Sequence, residues 1–238
     1  MNETKQAMKS AFTLTIPIMC GYLFLGAGFG VLLAKSGYPF YWATFSAMTV
    51  YSGSMQYVEV DLLKGAFDLL TAVIMTVAVN VRHVFYGLSL IDKYKDLGAY
   101  KLYCIFGLTD ETYSLMCMKT PEYIINKNKF YFFITLFDHL YWIAGCTLGA
   151  VIGQYIDFNA KGIDFVMTAL FFVIFIEQWE STKVHIPALI GVFGSLLCLV
   201  LFRIFVQGGS QFFLIPAMAI VFLSLTLGKK PIERRLSR

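Results

Sequence analysis

The stretch Ser10–Ala34, SAFTLTIPIMCGYLFLGAGFGVLLA, runs for 25 residues without a charged side chain. A helix needs roughly 20 predominantly apolar residues to cross the hydrocarbon core of a bilayer. In lipid every backbone N–H and C=O must be paired inside the protein, which a lone segment achieves only as a helix. The stretch therefore reads as a membrane-spanning helix. Lys5 and Lys9 precede it. It is too long for the apolar core of a signal peptide and has no clear small-x-small cleavage site, so it is expected to stay as the first span.

The same pattern recurs along the chain. Further apolar segments cover 39–63, 66–91, 99–118, 130–156, 163–178, 185–206 and 211–228, of which 99–118 and 163–178 are the doubtful spans. Composition agrees: 58% of the 238 residues are hydrophobic before glycine is counted, and only 14% are charged. Soluble domains run at roughly 45–50% apolar with glycine included and about 25% charged. A soluble enzyme is excluded. The expected fold is an all-α polytopic membrane protein of seven to eight transmembrane helices, some broken, in a single domain over residues 1–238.

Positive charge sets orientation. With eight spans, Lys5, Lys9, Lys64, Lys119, Lys127, Lys129, Lys183 and the tail Lys229, Lys230, Arg234, Arg235 and Arg238 fall in the cytoplasm. With 99–118 not crossing, seven spans move the N-terminus outside and keep the C-terminus cytoplasmic. A basic tail after an apolar span is a topology signal, and no nucleic-acid partner is expected.

Five cysteines (Cys20, Cys104, Cys117, Cys146 and Cys198) lie in apolar stretches with no CxxC pair. They read as small buried apolar residues, not as a disulfide framework or zinc site. His83, His139 and His185 share no helical spacing, and GxSxG, HExxH and a phosphate-binding glycine loop are all missing. No metal, cofactor or enzymatic activity is expected.

Gly26-Ala-Gly-Phe-Gly30 can be laid on Gly145-Cys-Thr-Leu-Gly149, an offset of half the chain. One reading is a two-fold internal repeat, with halves of about 1–119 and 120–238, as in many transporters. The other is that glycines four apart let two membrane helices approach closely.

A charge near mid-bilayer costs at least about 2.5–3.5 kcal/mol on insertion scales, so polar residues inside apolar segments mark candidate functional positions. Ser52-Gly53-Ser54-Met55-Gln56 interrupts the second segment, either as a broken helix with backbone groups free for a ligand or as small residues at a helix crossing. Asn80-Val-Arg82-His83 lies in the third, where Asn80 and His83 share a face and Arg82 needs a carboxylate, a water-filled cavity or a nearby membrane surface. Asp110 and Glu111 are adjacent in the fourth. There one acid carries a transferable proton, or one pairs with Arg82, or both lie in water at an interface. Asp138-His139 and Trp142 lie in the fifth, with Asp138, Trp142, Gly145 or Cys146, and Gly149 on one face. A structural hydrogen bond is the plainer reading of the Asp138-His139 pair, and a proton relay the other.

Pro17 with Gly21 and Gly26–Gly30, Ser52–Gln56, Asn80-Val-Arg-His83-Val-Phe-Tyr86-Gly87, Thr109-Asp-Glu-Thr-Tyr113 and Trp142-Ile-Ala-Gly145 together resemble the AzlC family, the large subunits of two-component branched-chain amino acid exporters. The resemblance implies a bacterial inner (plasma) membrane and a small AzlD-like membrane subunit as partner. It also implies a branched-chain amino acid substrate exported at the expense of the proton motive force. On that basis Ser52, Gly53, Ser54, Gln56, Asn80, Arg82 and Trp142 are the expected substrate-binding residues. Asp110, Glu111, His83 and Asp138 are the expected proton-coupling residues. An ion channel or pore-forming subunit, and a non-transporting membrane scaffold, are the competing classes.

Overall fold

The computed structural model describes residues 3–65, 68–156, 185–205 and 214–228, with Phe165, Thr168, Ala169, Phe172, Phe175, Ile176, Trp179 and Glu180 between them. Every regular element among the described residues is helical. They are α1 (Glu3–Lys35), α2 (Phe40–Thr49), α3 (Gly53–Lys64), α4 (Leu69–Ser89), α5 (Ile91–Tyr94), a 3-10 turn at Gly98–Tyr100, α6 (Lys101–Phe106), α7 (Asp110–Cys117), α8 (Lys127–Tyr155), α9 (Ile186–Phe205) and α10 (Leu214–Leu227). Among the described residues four helices are long and apolar enough to cross a membrane: α1, α4, α8 and Ile186–Ile204 within α9. Apolar segments 39–63 and 99–118 are each divided into shorter helices, and most of 163–178 falls outside the described residues.

The chain forms two compact units, residues 1–167 and 168–238. In the second, α9 and α10 pack on each other, with Gly194 placed so that a β-carbon would lie 3.2 Å from Val221 Cγ2. The first carries every polar cluster singled out above.

Its centre is the crossing of α1 and α8, where the two glycine stretches meet. A β-carbon on Gly26 would stand 2.9 Å from the backbone N of Cys146, and one on Gly145 would stand 2.7 Å from Tyr22 O. At Gly30 and Gly149 a β-carbon would overlap the facing backbone outright. The glycines let these helices touch backbone to backbone, which in lipid replaces hydrophobic driving force with dense packing. Two aromatic-rich clusters flank the crossing, one around Phe130, Ile134 and Met116, the other around Phe29, Tyr57 and Trp142.

Helix ends follow local chemistry. Asp68 accepts from the N–H groups of Leu70 and Thr71, starting α4, and Asn126 Oδ1 accepts from Lys129 N, starting α8. Phe40, Tyr41, Trp42 and Phe45 are exposed along α2, the residue types that sit at a membrane interface. Cys104, Cys146 and Cys198 are buried as expected, but Cys20 and Cys117 are exposed. Each sits on an outward face of its helix, so an apolar neighbourhood in sequence did not make it a core residue.

Candidate functional site

Two helix breaks meet directly, with the Tyr51 and Phe106 rings 6.2 Å apart. In the first, residues 50–52 separate α2 from α3, and Tyr51 turns the chain at φ 42°, a left-handed conformation for a residue with a β-carbon. Such a conformation costs on the order of 1–3 kcal/mol and persists where the surroundings impose it. Here they do: the Tyr51 ring lies 4.2 Å from that of His139, and Ser52 Oγ donates to Asn80 Oδ1 at 2.7 Å, tying the break to α4. The second break is Gly107-Leu108-Thr109, between α6 and α7. A β-carbon on Gly107 would collide with the Thr135 methyl, and the Thr109 hydroxyl accepts from Thr112 N to start α7. Asp110 and Glu111 thus occupy the first turn of a helix, where the N-terminal partial charge favours carboxylates.

These two acids diverge. Asp110 Oδ2 lies 3.0 Å from Arg82 Nη2, which also donates to Ser54 Oγ at 2.7 Å, so one guanidinium joins α3, α4 and α7. Glu111 Oε2 accepts instead from the Tyr22 hydroxyl of α1 at 2.8 Å. Of the readings open for this segment, the Arg82 pairing holds for Asp110. Asp138 is fully buried, and its Oδ2 accepts from Thr112 Oγ1 at 2.7 Å. His139 points the other way, to Tyr103 Oη at 2.9 Å and Ala47 O at 3.3 Å. Asp138 and His139 therefore make no pair: adjacent residues on a helix point about 100° apart, and each finds a different neighbour.

Gln56 is also fully buried. Trp142 Nε1 donates to its Oε1 at 2.7 Å, its Nε2 donates to Ser46 Oγ at 3.1 Å, and Ser46 Oγ donates to Glu59 Oε2 at 2.6 Å. Indole N–H is only a donor, so the first bond orients the amide and every later donor points toward Glu59. A β-carbon on Gly53 would meet the Trp142 ring at 3.0 Å. Trp142 and Gln56 thus brace the start of α3.

A cavity of about 520 Å3 opens between the first break, α4 and the α6–α7 connection. That lies in the range of roughly 300–1,000 Å3 of small-molecule sites. Its polar lining is Ser52, Glu59, Thr76, Asn80 and His83, and its apolar lining includes Met55, Leu62, Leu63, Ile105 and Leu108. Of the residues expected to bind substrate, Ser52 and Asn80 line it. Gly53, Ser54, Gln56, Arg82 and Trp142 do not, and instead hold the elements that form it. Glu59 and Tyr51 were missed from sequence. Glu59 obeys the rule that singled out Asp110, a carboxylate within an apolar segment, but Asp61 and Lys64 beside it look like a membrane edge. Among the described residues no group of three or more His, Cys, Asp or Glu side chains could hold a metal.

The sequence model described as AzlC protein matches residues 17–156, which contain both breaks, the cavity and all of these side chains. The branched-chain amino acid transport protein AzlC of Bacillus subtilis (strain 168) is 44% identical over 237 residues, 98% of this chain and 91% of its own. The chain belongs to the AzlC family. Further relatives of this AzlC-family chain are membrane proteins of Helicobacter pylori (strain 26695), 37% identical over 98% of this chain and all of its own, and of Haemophilus influenzae, 34% identical over 99% and 94%. No solved structure matches. The AzlC-family assignment and the apolar helices agree on a membrane protein.

Proposed function

We propose that this chain exports branched-chain and other apolar neutral amino acids across the bacterial inner (plasma) membrane, coupled to proton entry, together with a small AzlD-like membrane subunit. The observation that carries this reading is the cavity at the helix breaks of a chain similar over nearly its whole length to a branched-chain amino acid transport protein. An amino acid needs an acceptor for its ammonium, donors for its carboxylate and an apolar wall for its side chain. Glu59 is the acceptor. The Asn80 amide, held by the Ser52 hydroxyl on the cavity wall, supplies the donors. Met55, Leu62, Leu63 and Leu108 form the wall, and a methylene there is worth only about 1–3 kcal/mol, so leucine, isoleucine, valine and methionine are poorly separated.

The Arg82–Asp110 pair holds the two breaks together and opens when the cavity changes side. Glu111, Asp138 and His83 carry or accept the coupling proton. The chain acts as one transport domain of seven or eight spans with a cytoplasmic C-terminus, and the matching glycine stretches of α1 and α8 are the first helices of two repeated halves. The test is efflux from cells loaded with leucine-containing peptides. Arg82→Ala and Asp110→Asn are each expected to slow leucine efflux at least about tenfold, and a protonophore to slow it in the wild type. Wild-type efflux from both variants, correctly inserted, would remove the site assignment.

A further inference from the structure

Five oxygens stand in a row through the interior of the first unit. Glu111 Oε2 lies 2.8 Å from Tyr22 Oη, Tyr22 Oη 2.6 Å from Thr109 Oγ1, Thr109 Oγ1 3.0 Å from Thr112 Oγ1, and Thr112 Oγ1 2.7 Å from Asp138 Oδ2. Tyr22, Thr109, Thr112 and Asp138 are all buried. Each of the four contacts is at hydrogen-bond distance, and each needs one proton between its oxygens.

The protons can be counted. Three hydroxyls supply three. With both carboxylates ionised, one contact is left as two lone pairs facing each other in a buried site, and with both protonated there are five protons for four contacts. Only one extra proton fills every contact. With it on Glu111, the bonds run Glu111 to Tyr22 to Thr109 to Thr112 to Asp138. With it on Asp138, they run in reverse. Thr109 Oγ1 also accepts from Thr112 N at 3.2 Å, and in both arrangements it donates once and accepts twice, the full capacity of a hydroxyl. Asp138 Oδ1 is buried without a partner among the described residues, so a proton on Asp138 bonds from Oδ2.

We propose that Glu111 and Asp138 share a single proton through the Tyr22, Thr109 and Thr112 hydroxyls, which form a reversible proton wire from α7 to α8 by way of α1. Transfer is balanced at every step. As the Asp138 Oδ2–H bond breaks, Thr112 gains that proton and passes its own to Thr109, Thr109 passes its own to Tyr22, and Tyr22 passes its own to Glu111 Oε2. The net change is one proton moved and three hydroxyls reversed. Asp110 beside Glu111 stays outside the wire because Arg82 holds it. The count stands on the hydrogen bonds alone and rests on the transport reading only for what the proton is used for.

Infrared difference spectroscopy of the full-length chain in membranes, in the protonated-carboxyl C=O stretching region, tests it. A side-chain amide in place of either carboxyl donates into the row and supplies the fourth proton. Glu111→Gln and Asp138→Asn are therefore each expected to lose the signal of the same single protonated carboxyl. Tyr22→Phe cuts the row and leaves two hydroxyl protons for the two remaining contacts, Thr109–Thr112 and Thr112–Asp138, so it is expected to lose the signal as well, although both carboxyls remain. The Glu111→Gln and Tyr22→Phe results decide the matter even where Asp138→Asn does not fold. Loss in only one of the two amide variants, no loss in either, or a signal that survives Tyr22→Phe would overturn the shared proton. Leucine efflux, measured separately, can fail without touching this result.

Discussion

The α1–α8 crossing and the paired helix breaks lie within one unit, and they solve the same problem in opposite ways. Lipid leaves no backbone group unpaired. At the crossing both helices are continuous, and glycines bring the two backbones into contact. At the breaks the ladder is interrupted at Tyr51 and at Gly107; the Thr109 hydroxyl takes the Thr112 N–H, while Ser52 with Asn80 and Ser54 with Arg82 bond side chain to side chain. The first arrangement can only hold. The second has alternatives, because each of its bonds can be exchanged for one to a ligand or a proton.

That contrast predicts a graded series. Gly30→Leu or Gly149→Leu, which leaves no room between backbones, is expected to have the largest effect. It should cost about 3 kcal/mol or more and abolish the monodisperse peak on size-exclusion in detergent. A wild-type elution profile would show that the crossing is not what holds the unit. Trp142→Phe strips a partner from buried Gln56 and should lower stability by about 1–3 kcal/mol in thermal unfolding. No change would mean that the first break is not braced from α8. Tyr51→Phe removes a buried hydroxyl that has no hydrogen-bond partner among the described residues, so stability should rise by about 1 kcal/mol. A fall instead would reveal a bond made by Tyr51 in the membrane. The smallest effect belongs to Gly21→Ala. Its β-carbon would meet nothing within 4 Å among the described residues, and replacing a helical glycine should gain roughly 0.5–1 kcal/mol. A loss as large as that at Gly30 would erase the distinction between glycines that touch and glycines that do not.

Much of this was legible before folding. The break expected at Ser52–Gln56 is met only nearby: residues 50–52 separate α2 from α3, and Gly53, Ser54, Met55 and Gln56 form the first turn of α3. The requirement that Arg82 find a carboxylate is met by Asp110. The shared face of Asp138, Trp142, Cys146 and Gly149 is buried, since helical spacing alone puts them together. Other points were not legible. Sequence adjacency suggested that Asp110 and Glu111 contend for one proton, and that Asp138 pairs with His139. Helix geometry turns neighbours apart, so each found its partner on another helix. Trp142 and Gln56 read as ligand contacts because they are polar or aromatic in an apolar span. They are spent on each other.

By itself the sequence determined that this protein is helical and lives in a membrane, and where its helices weaken. Hydropathy, charge and helix-breaking residues are local properties, and the bilayer converts them directly into spans and breaks. Only the tertiary structure decided that Glu59 faces the cavity, that Arg82 meets Asp110, and that Glu111 and Asp138 stand at two ends of one row of hydroxyls. Each of those depends on how one helix is rotated against the next. For α1 against α8 that rotation is set by the close packing of Gly26, Gly30, Gly145 and Gly149, residues that carry no chemistry of their own.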